Sequence, residues 1–329
     1  MKWAVFTYSE CVFEYIPAKM GHLSTPALDT GFFSTAEVGS RDEAEPSISR
    51  TVALPNNHYQ KPPNLAAGFR SLEISCEGPI RANLVADSIT TDSFRIAVET
   101  WGGSRLFEAS ATWIEHKADA RDCVFGQFDT QDASDNLPRA ATAPDAKTTR
   151  KHLVKTDLVP KKYGKVFEFP REFKEPPQVV CWLNRLDLVS GDEHDYKLRA
   201  FADDISTTGF SGHLDTWDDG EVHGAAMCWI AFRQGKKRVD SGRFSTTDVR
   251  RQTDPRERTT GKVEFPQHFE IVPTVLAALD MIDAAGNADL RIKVSISEVD
   301  RTGFRWTLET WDDSTLYAAG ASWIALGFR

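Results

Sequence analysis

Apolar and polar residues alternate with a period of two along much of this chain. Leu290, Ile292, Val294 and Ile296 alternate with Arg291, Lys293, Ser295 and Ser297, and Phe304, Trp306 and Leu308 alternate with Arg305, Thr307 and Glu309. Phe94, Ile96 and Val98 repeat the pattern earlier in the chain. Successive side chains of a strand point to opposite faces, so this pattern marks strands buried on one side. No segment sustains a 3.6-residue apolar period between capping residues. The chain is therefore predicted to be all-β.

The pattern also recurs at long range. Thr100-Trp101, Thr216-Trp217 and Thr310-Trp311 are each followed twelve residues later by a second tryptophan: Trp113, Trp229 and Trp323. Phe94, Phe210 and Phe304 each lie seven residues before the first tryptophan of their copy. A G-x-F-x-T string opens each copy, at Gly31, Gly126 and Gly242, and Pro62-Pro63, Pro176-Pro177 and Pro273 mark a matching turn. Six of the nine tryptophans fall on these marks, which leaves coincidence no room. The predicted organisation is an N-terminal extension at 1–29 and repeats at 30–117, 123–235 and 240–329. The middle copy carries an insertion at about 133–164, rich in Ala, Thr, Pro and Lys/Arg, that reads as an exposed loop. Its basic run is either a docking patch or simply solvated charge. Units of this length made of short alternating strands argue for one antiparallel sandwich per copy.

The same periodicity separates the tryptophans into two sets. If Phe304, Trp306 and Leu308 face the core, Trp311 falls on the opposite side, and the same arithmetic applies to Trp101 and Trp217. An aromatic on a polar face suits a sugar-stacking platform or an anchor at a subunit contact. The alternative is a strand that ends or bulges near Thr310 and turns the ring inward as a lid. Trp113, Trp229 and Trp323 share a face with small apolar residues and are expected in the core. Asp218-Asp219 and Asp312-Asp313 follow the first tryptophan in copies two and three, whereas copy one has Gly102-Gly103. Carboxylates beside a ring accept hydrogen bonds from sugar hydroxyls, but aspartates are also ordinary in turns.

Composition narrows the function classes. The 329 residues carry a formal net charge of −9, which argues against nucleic acid or an anionic membrane surface as partner. No uncharged apolar run approaches the roughly 18 residues of a membrane span, so no membrane insertion is expected. The apolar N-terminal stretch contains Glu10 and Glu14 and lacks a small-residue cleavage site, so no signal peptide is read. The corresponding expectation is a cytoplasmic protein, with non-classical secretion left open. Five cysteines without a C-x-x-C pair favour free thiols in a reducing compartment. H-E-x-x-H, G-x-S-x-G, phosphate-cradling glycine loops and zinc-spaced Cys/His clusters are all missing, the eight histidines are scattered, and the pair Asp203-Asp204 reads as a solvated loop. Neither catalysis, a cofactor nor a metal is expected.

The combined string G-x-F-S-T…G-K-V-E-F-P…P…L-R-I…T-G-F…T-W-D-D-S-T-L-Y…S-W-I in residues 242–329 resembles the H-type lectins, the group of the snail agglutinin and the C-terminal domain of discoidins. The resemblance extends over most of copy two, 123–232, and more loosely over copy one, about 30–116. It implies a six-stranded antiparallel β-sandwich that forms trimers, with metal-free sites for galactose or N-acetylgalactosamine glycans near the subunit contacts. Carried over by position, the sugar-binding arginine is Arg291, the stacking tryptophan Trp311 and the site tyrosine Tyr317. Asp312 stands at the polar position after the tryptophan, and Asp254 as the loop acid. Copy two offers Lys197, Trp217, Asp218 and His223, with Asp157 as loop acid; lysine lacks the planar fork of arginine. Copy one keeps Arg81 and Trp101 but has Gly102 and Phe107, with Asp42 or Glu43 as loop acid, and its site is expected to be degraded. Three copies in one chain lead to the expectation of an intramolecular pseudo-trimer with non-identical sites. The reading is thus three tandem sandwiches forming a glycan-binding lectin. Its alternative is a structural or protein-interaction module on a lectin scaffold with degraded sugar sites.

Overall fold

The computed structural model describes residues 29–39, 45–54, 58–133, 162–235 and 238–327. Most of the N-terminal extension, most of the insertion, and Asp42, Glu43 and Asp157 lie outside the described residues. Repeat 1 contributes β1 (Asp29–Ser34), β2 (Ser47–Ala53), β3 (Asn64–Ile74), β4 (Ile80–Asp87), β5 (Ser93–Glu99) and β6 (Leu106–His116). Repeat 2 contributes β7 (Cys123–Asp129), β8 (Lys162–Glu168), β9 (Gln178–Leu188), β10 (Tyr196–Asp203), β11 (Gly209–Asp215) and β12 (Val222–Phe232). Repeat 3 contributes β13 (Val239–Ser245), β14 (Arg258–Glu264), β15 (Thr274–Ala284), β16 (Leu290–Ser297), β17 (Gly303–Glu309) and β18 (Leu316–Leu326). Among the described residues the only helical pieces are three short 3-10 turns following β1, β7 and β13. The protein is all-β.

Each repeat is a sandwich of two three-stranded leaves. The leaves meet through edge-to-face aromatic pairs that are the same in every copy: Phe94–Trp113 at 5.0 Å, Phe210–Trp229 at 5.0 Å and Phe304–Trp323 at 5.2 Å between ring centroids. The two leaves of a repeat do not share a sheet, however. The three six-stranded antiparallel sheets run β1-β6-β3-β16-β17-β14, β13-β18-β15-β10-β11-β8, and β2-β5-β4-β9-β12-β7. Every sheet therefore continues from a leaf of one repeat into a leaf of another. The joins are β3 with β16, β15 with β10 and β9 with β4, so repeat 1 meets 3, 3 meets 2 and 2 meets 1.

The repeated motifs have local physical reasons. Gly31, Gly126 and Gly242 lie directly opposite Trp113, Trp229 and Trp323 in the strand pairing, and a Cβ on any of them would run into the indole. The phenylalanine two positions on, Phe33, Phe128 or Phe244, is buried in the sandwich. The residue after it caps the 3-10 turn: Ser34 accepts from Ala36 N–H, Asp129 from Gln131 N–H and Ser245 from Thr247 N–H. The threonine then accepts a hydrogen bond from the backbone of the last strand, Thr35 from Ala109 at 3.0 Å, Thr130 from Ala225 at 3.1 Å and Thr246 from Ala319 at 3.0 Å.

A second apolar cluster lies apart from the sandwich interiors, where the other faces of β3, β6, β9, β12, β15 and β18 meet. It includes Ile114, Ile230 and Ile324, one from each repeat, and Trp182. Trp182 occupies the position that is Gly68 in β3 and Ala278 in β15, and its Nε1 donates to the Ser322 carbonyl at 2.9 Å. One large side chain thus fills a central space that three copies of any single repeat would overfill or leave hollow. A Cβ on Gly68 would lie 2.5 Å from Trp182 Cβ and 2.7 Å from Ala278 Cβ. Gly68→Ala is predicted to destabilise the chain by about 1–3 kcal/mol, and Ala278→Gly in the same chain to recover part of the loss. Denaturant midpoints check this; an unchanged midpoint for Gly68→Ala would show the centre is loosely packed.

Candidate functional site

The strands β5, β11 and β17 end before the Thr-Trp pair, so Trp101, Trp217 and Trp311 open the turns into β6, β12 and β18. The strand phase read from sequence therefore stops at Glu309, yet all three rings remain half-buried and outside the apolar cores. Each tryptophan carbonyl closes its turn, accepting from Ser104 N–H at 3.2 Å, Gly220 N–H at 3.0 Å or Ser314 N–H at 3.3 Å. The residue after the ring has a left-handed φ: 60° for Gly102, 50° for Asp218 and 54° for Asp312. For the two aspartates that conformation stores strain, and it presents their carboxylates outward. Thr100 Oγ1 donates to the Arg81 carbonyl at 2.9 Å and Thr310 Oγ1 to the Arg291 carbonyl at 2.6 Å, which ties the turn to the cation-bearing strand.

Each of these cations sits at a join between repeats. Arg81 pairs across the ladder with Asp187, Lys197 with Asp283 and Arg291 with Glu73. All three carboxylates are buried, at 8%, 1% and 4% exposure respectively. Arg291 Nε lies 3.3 Å from Glu73 and 3.6 Å from Asp312, Nη2 donates to Asp289 at 2.7 Å, and Nη1 binds Asp313. Lys197 Nζ binds Asp219, lies 3.2 Å from Asp195 and 3.8 Å from Asp218, and makes no hydrogen bond to Asp283. Burial pulls the Lys197 ammonium down, but the hydrogen bonds and charges of Asp219 and Asp195 more than offset this, leaving it raised. Arg81 Nε donates to Asp187 at 2.9 Å.

A cleft of about 800 Å³ lies beside Trp311 at the join of repeats 3 and 1. Glu257, Arg258, Lys293 and Glu309 of repeat 3 line it together with Ser71, Glu73 and Glu108 of repeat 1. Tyr317, by contrast, stands away from this cleft. It is near enough to feel the charges of Asp195, Asp283, Lys197 and Asp219, although burial is the main cause of its raised phenol pKa. His223 is likewise near the other repeat's cation: its Nδ1 lies 3.9 Å from Asp187, the partner of Arg81. The last-strand rings of Tyr317 and His223 thus stand near charged groups at another join, and Tyr317 does not line the cleft beside Trp311. The reason is topological, because the cation strand and the last strand of one repeat belong to different sheets. Asp254 is exposed and pairs with Arg256 at 2.6 Å; Arg250 holds the carbonyls of Asp254 and Tyr317 at 3.0 and 2.8 Å. Among the described residues, Asp254 makes no hydrogen bond or ion pair with Arg291 or Trp311.

Sequence reasoning missed Glu73, Asp187 and Asp283. A signal was present: the tenth position of the third strand is acidic in all three copies. It also missed Arg185, which donates to Asp129 at 2.6 Å and approaches the Trp101 ring at 5.6 Å. Only one copy has a cation there, so no repeat pattern marked it.

The model of the H-type lectin domain family matches the chain three times, over residues 49–114, 165–232 and 260–326. These matches cover more than half of the sequence, and the chain belongs to the H-type lectin family. It is accordingly a carbohydrate-binding lectin by class, and family and fold point to recognition rather than catalysis. Among curated proteins, "ATP synthase subunits region ORF 7" of Fuscovulum blasticum is 29% identical over 65 residues, 20% of this chain and 56% of that protein. The chain thus spans a little over half the length of that relative. Among solved structures, recombinant discoidin II of Dictyostelium discoideum is 16% identical, covering 54% of this chain and 87% of that one with a TM-score of 0.25. Wild-type discoidin II from the same organism is 16% identical, covering 54% and 86% with a TM-score of 0.24.

Burial pushes the Asp283 carboxyl up to about 6, against the pull of Gln252 and Lys197. Its folded pKa exceeds its unfolded value, so its stabilising contribution is full below about 3.9 and is lost as pH rises through about 6. The stability of wild type relative to Asp283→Asn is predicted to rise by roughly 2–3 kcal/mol between pH 7.5 and pH 4. Urea unfolding across that range checks it; parallel profiles for the two proteins would contradict it.

Proposed function

We propose that the chain binds galactose- or N-acetylgalactosamine-type glycans without metal, in clefts between repeats, as an intramolecular pseudo-trimer with non-identical sites. The observation that carries this reading is the join of repeats 3 and 1. There a half-buried indole lines a cleft of about 800 Å³ with walls from both repeats, and the exposed carboxylates of Asp312 and Asp313 follow the indole in its turn. A pyranose lays its apolar C–H face on Trp311 while Asp312 and Asp313, 67% and 75% exposed, accept its hydroxyl protons. Arg291 already spends all three nitrogens on Glu73, Asp289, Asp313 and Ser314. Its role is to orient the carboxylates and fasten the two repeats. Lys197 likewise orients Asp218 and Asp219 next to Trp217, with Tyr317 of repeat 3 near enough to sense Lys197 and Asp219. Galactose-type specificity itself comes from the family. Metal independence comes from the family as well.

The second reading, a scaffold with lost sugar sites, is favoured at one place by Gly102-Gly103, where the turn acids are missing. Glycan-array and calorimetric binding discriminate the two. Trp311→Ala and Trp217→Ala together are predicted to weaken galactoside binding at least about tenfold, and EDTA to leave wild-type binding unchanged. Loss of binding in EDTA would refute the metal-free claim, and unchanged binding by the double variant would refute the platforms.

A further inference from the structure

The join between repeats 1 and 2 differs from the other two in charge. Trp101 is flanked by two guanidinium groups, Arg81 of repeat 1 at 5.9 Å and Arg185 of repeat 2 at 5.6 Å from the ring. The position of Arg185 in its strand is Ser71 in repeat 1 and Met281 in repeat 3, so this second cation belongs to one join alone. The turn acids are also gone. A Cβ at Gly102 would collide with Arg81 Nη1, which shows that the guanidinium has moved into the space beside the turn, and Gly103 faces open space.

We propose that this join binds an acidic sugar, a hexose residue bearing a carboxylate or a sulfate, with its anion on Arg81 and Arg185 and its ring against Trp101. This rests on the reading of the turn tryptophans as sugar platforms. Arg81 spends Nε on Asp187 and Nη1 on the Gly102 carbonyl, and Arg185 spends Nη1 on Asp129. Among the described residues, Nη2 of Arg81 and both Nε and Nη2 of Arg185 have no protein acceptor. Two guanidinium groups within 6 Å of one ring, each with N–H groups to spare, suit a planar or tetrahedral oxyanion, which a guanidinium grips by charge-assisted hydrogen bonds. Each guanidinium here faces one carboxylate, Asp187 or Asp129. At the other joins carboxylates outnumber the cations: Glu73, Asp289, Asp312 and Asp313 surround Arg291, Glu73, Glu108, Glu257 and Glu309 outnumber Arg258 and Lys293 in the cleft beside Trp311, and Asp195, Asp218 and Asp219 surround Lys197. Those joins repel an acidic sugar and this one does not.

The test is calorimetric titration of the full chain with methyl glucuronide, galactose 6-sulfate and methyl galactoside, using wild type and Arg185→Met, the residue repeat 3 carries at this position. The expected result is binding of at least one acidic sugar that weakens with salt and falls at least about tenfold in Arg185→Met, while galactoside binding is unchanged. Whether the uronide or the sulfate is preferred identifies the source of the anion, and either one held through Arg185 supports the proposal. Acidic sugars that bind wild type no better than methyl galactoside, or bind Arg185→Met equally well, overturn it. Galactoside binding without acidic-sugar binding sinks this inference alone. Acidic-sugar binding without galactoside binding leaves it standing and sinks the neutral-sugar assignment of the Trp217 and Trp311 clefts.

Discussion

The backbone ladder joining the third strand of one repeat to the fourth strand of the next is the constraint on which everything else depends. It makes three sandwiches into three continuous sheets and brings Arg81, Lys197 and Arg291 onto a neighbour's buried acid. Cross-strand pairs of opposite charge contribute modestly when exposed, about 0.2–1 kcal/mol each. Here the acids are buried, so removing the cation leaves a charge without compensation, and the pair specifies register more than it adds stability. A one-residue slip at the join would turn the acid to the other face of its strand and take the cleft apart.

The same join explains why the contacts between repeats are unequal. In a trimer of identical chains, each contact repeats the same residues. Within one chain each contact is free to diverge, and these have: arginine opposite glutamate, lysine opposite aspartate, and arginine opposite aspartate with a second arginine nearby. The centre has diverged too, with Gly68, Trp182 and Ala278 sharing one space. Divergence there commits each repeat to its place in the ring, because only one arrangement fills the volume once. The residues at the joins and the central packing have therefore diverged by the same device, covalent linkage of the copies.

Much of this was legible from residue pattern alone. Period-two alternation located β5, β16 and β17 and their core faces, since each is half-buried and its environment imposes the pattern. The glycine, tryptophan and threonine spacings exposed the repeat because close approach of Gly31, Gly126 and Gly242 to an indole tolerates no other residue. The exchange of leaves between sheets was not legible. The third strands carry apolar residues on both faces along their first halves, and nothing local says which fourth strand they pair with. For that reason Tyr317 and His223 were grouped with the cations of their own copies rather than with those of their neighbours. Arg185 escaped because its meaning lies in a ring it meets only after folding, eighty-odd residues away in sequence. Composite sites hide from any reading that proceeds copy by copy.

The most direct measurement is a crystal structure of the chain with a bound galactoside. The account predicts the sugar ring on Trp311 or Trp217, with polar contacts drawn from two different repeats. A sugar held entirely by one repeat, or bound away from every turn tryptophan, would contradict it.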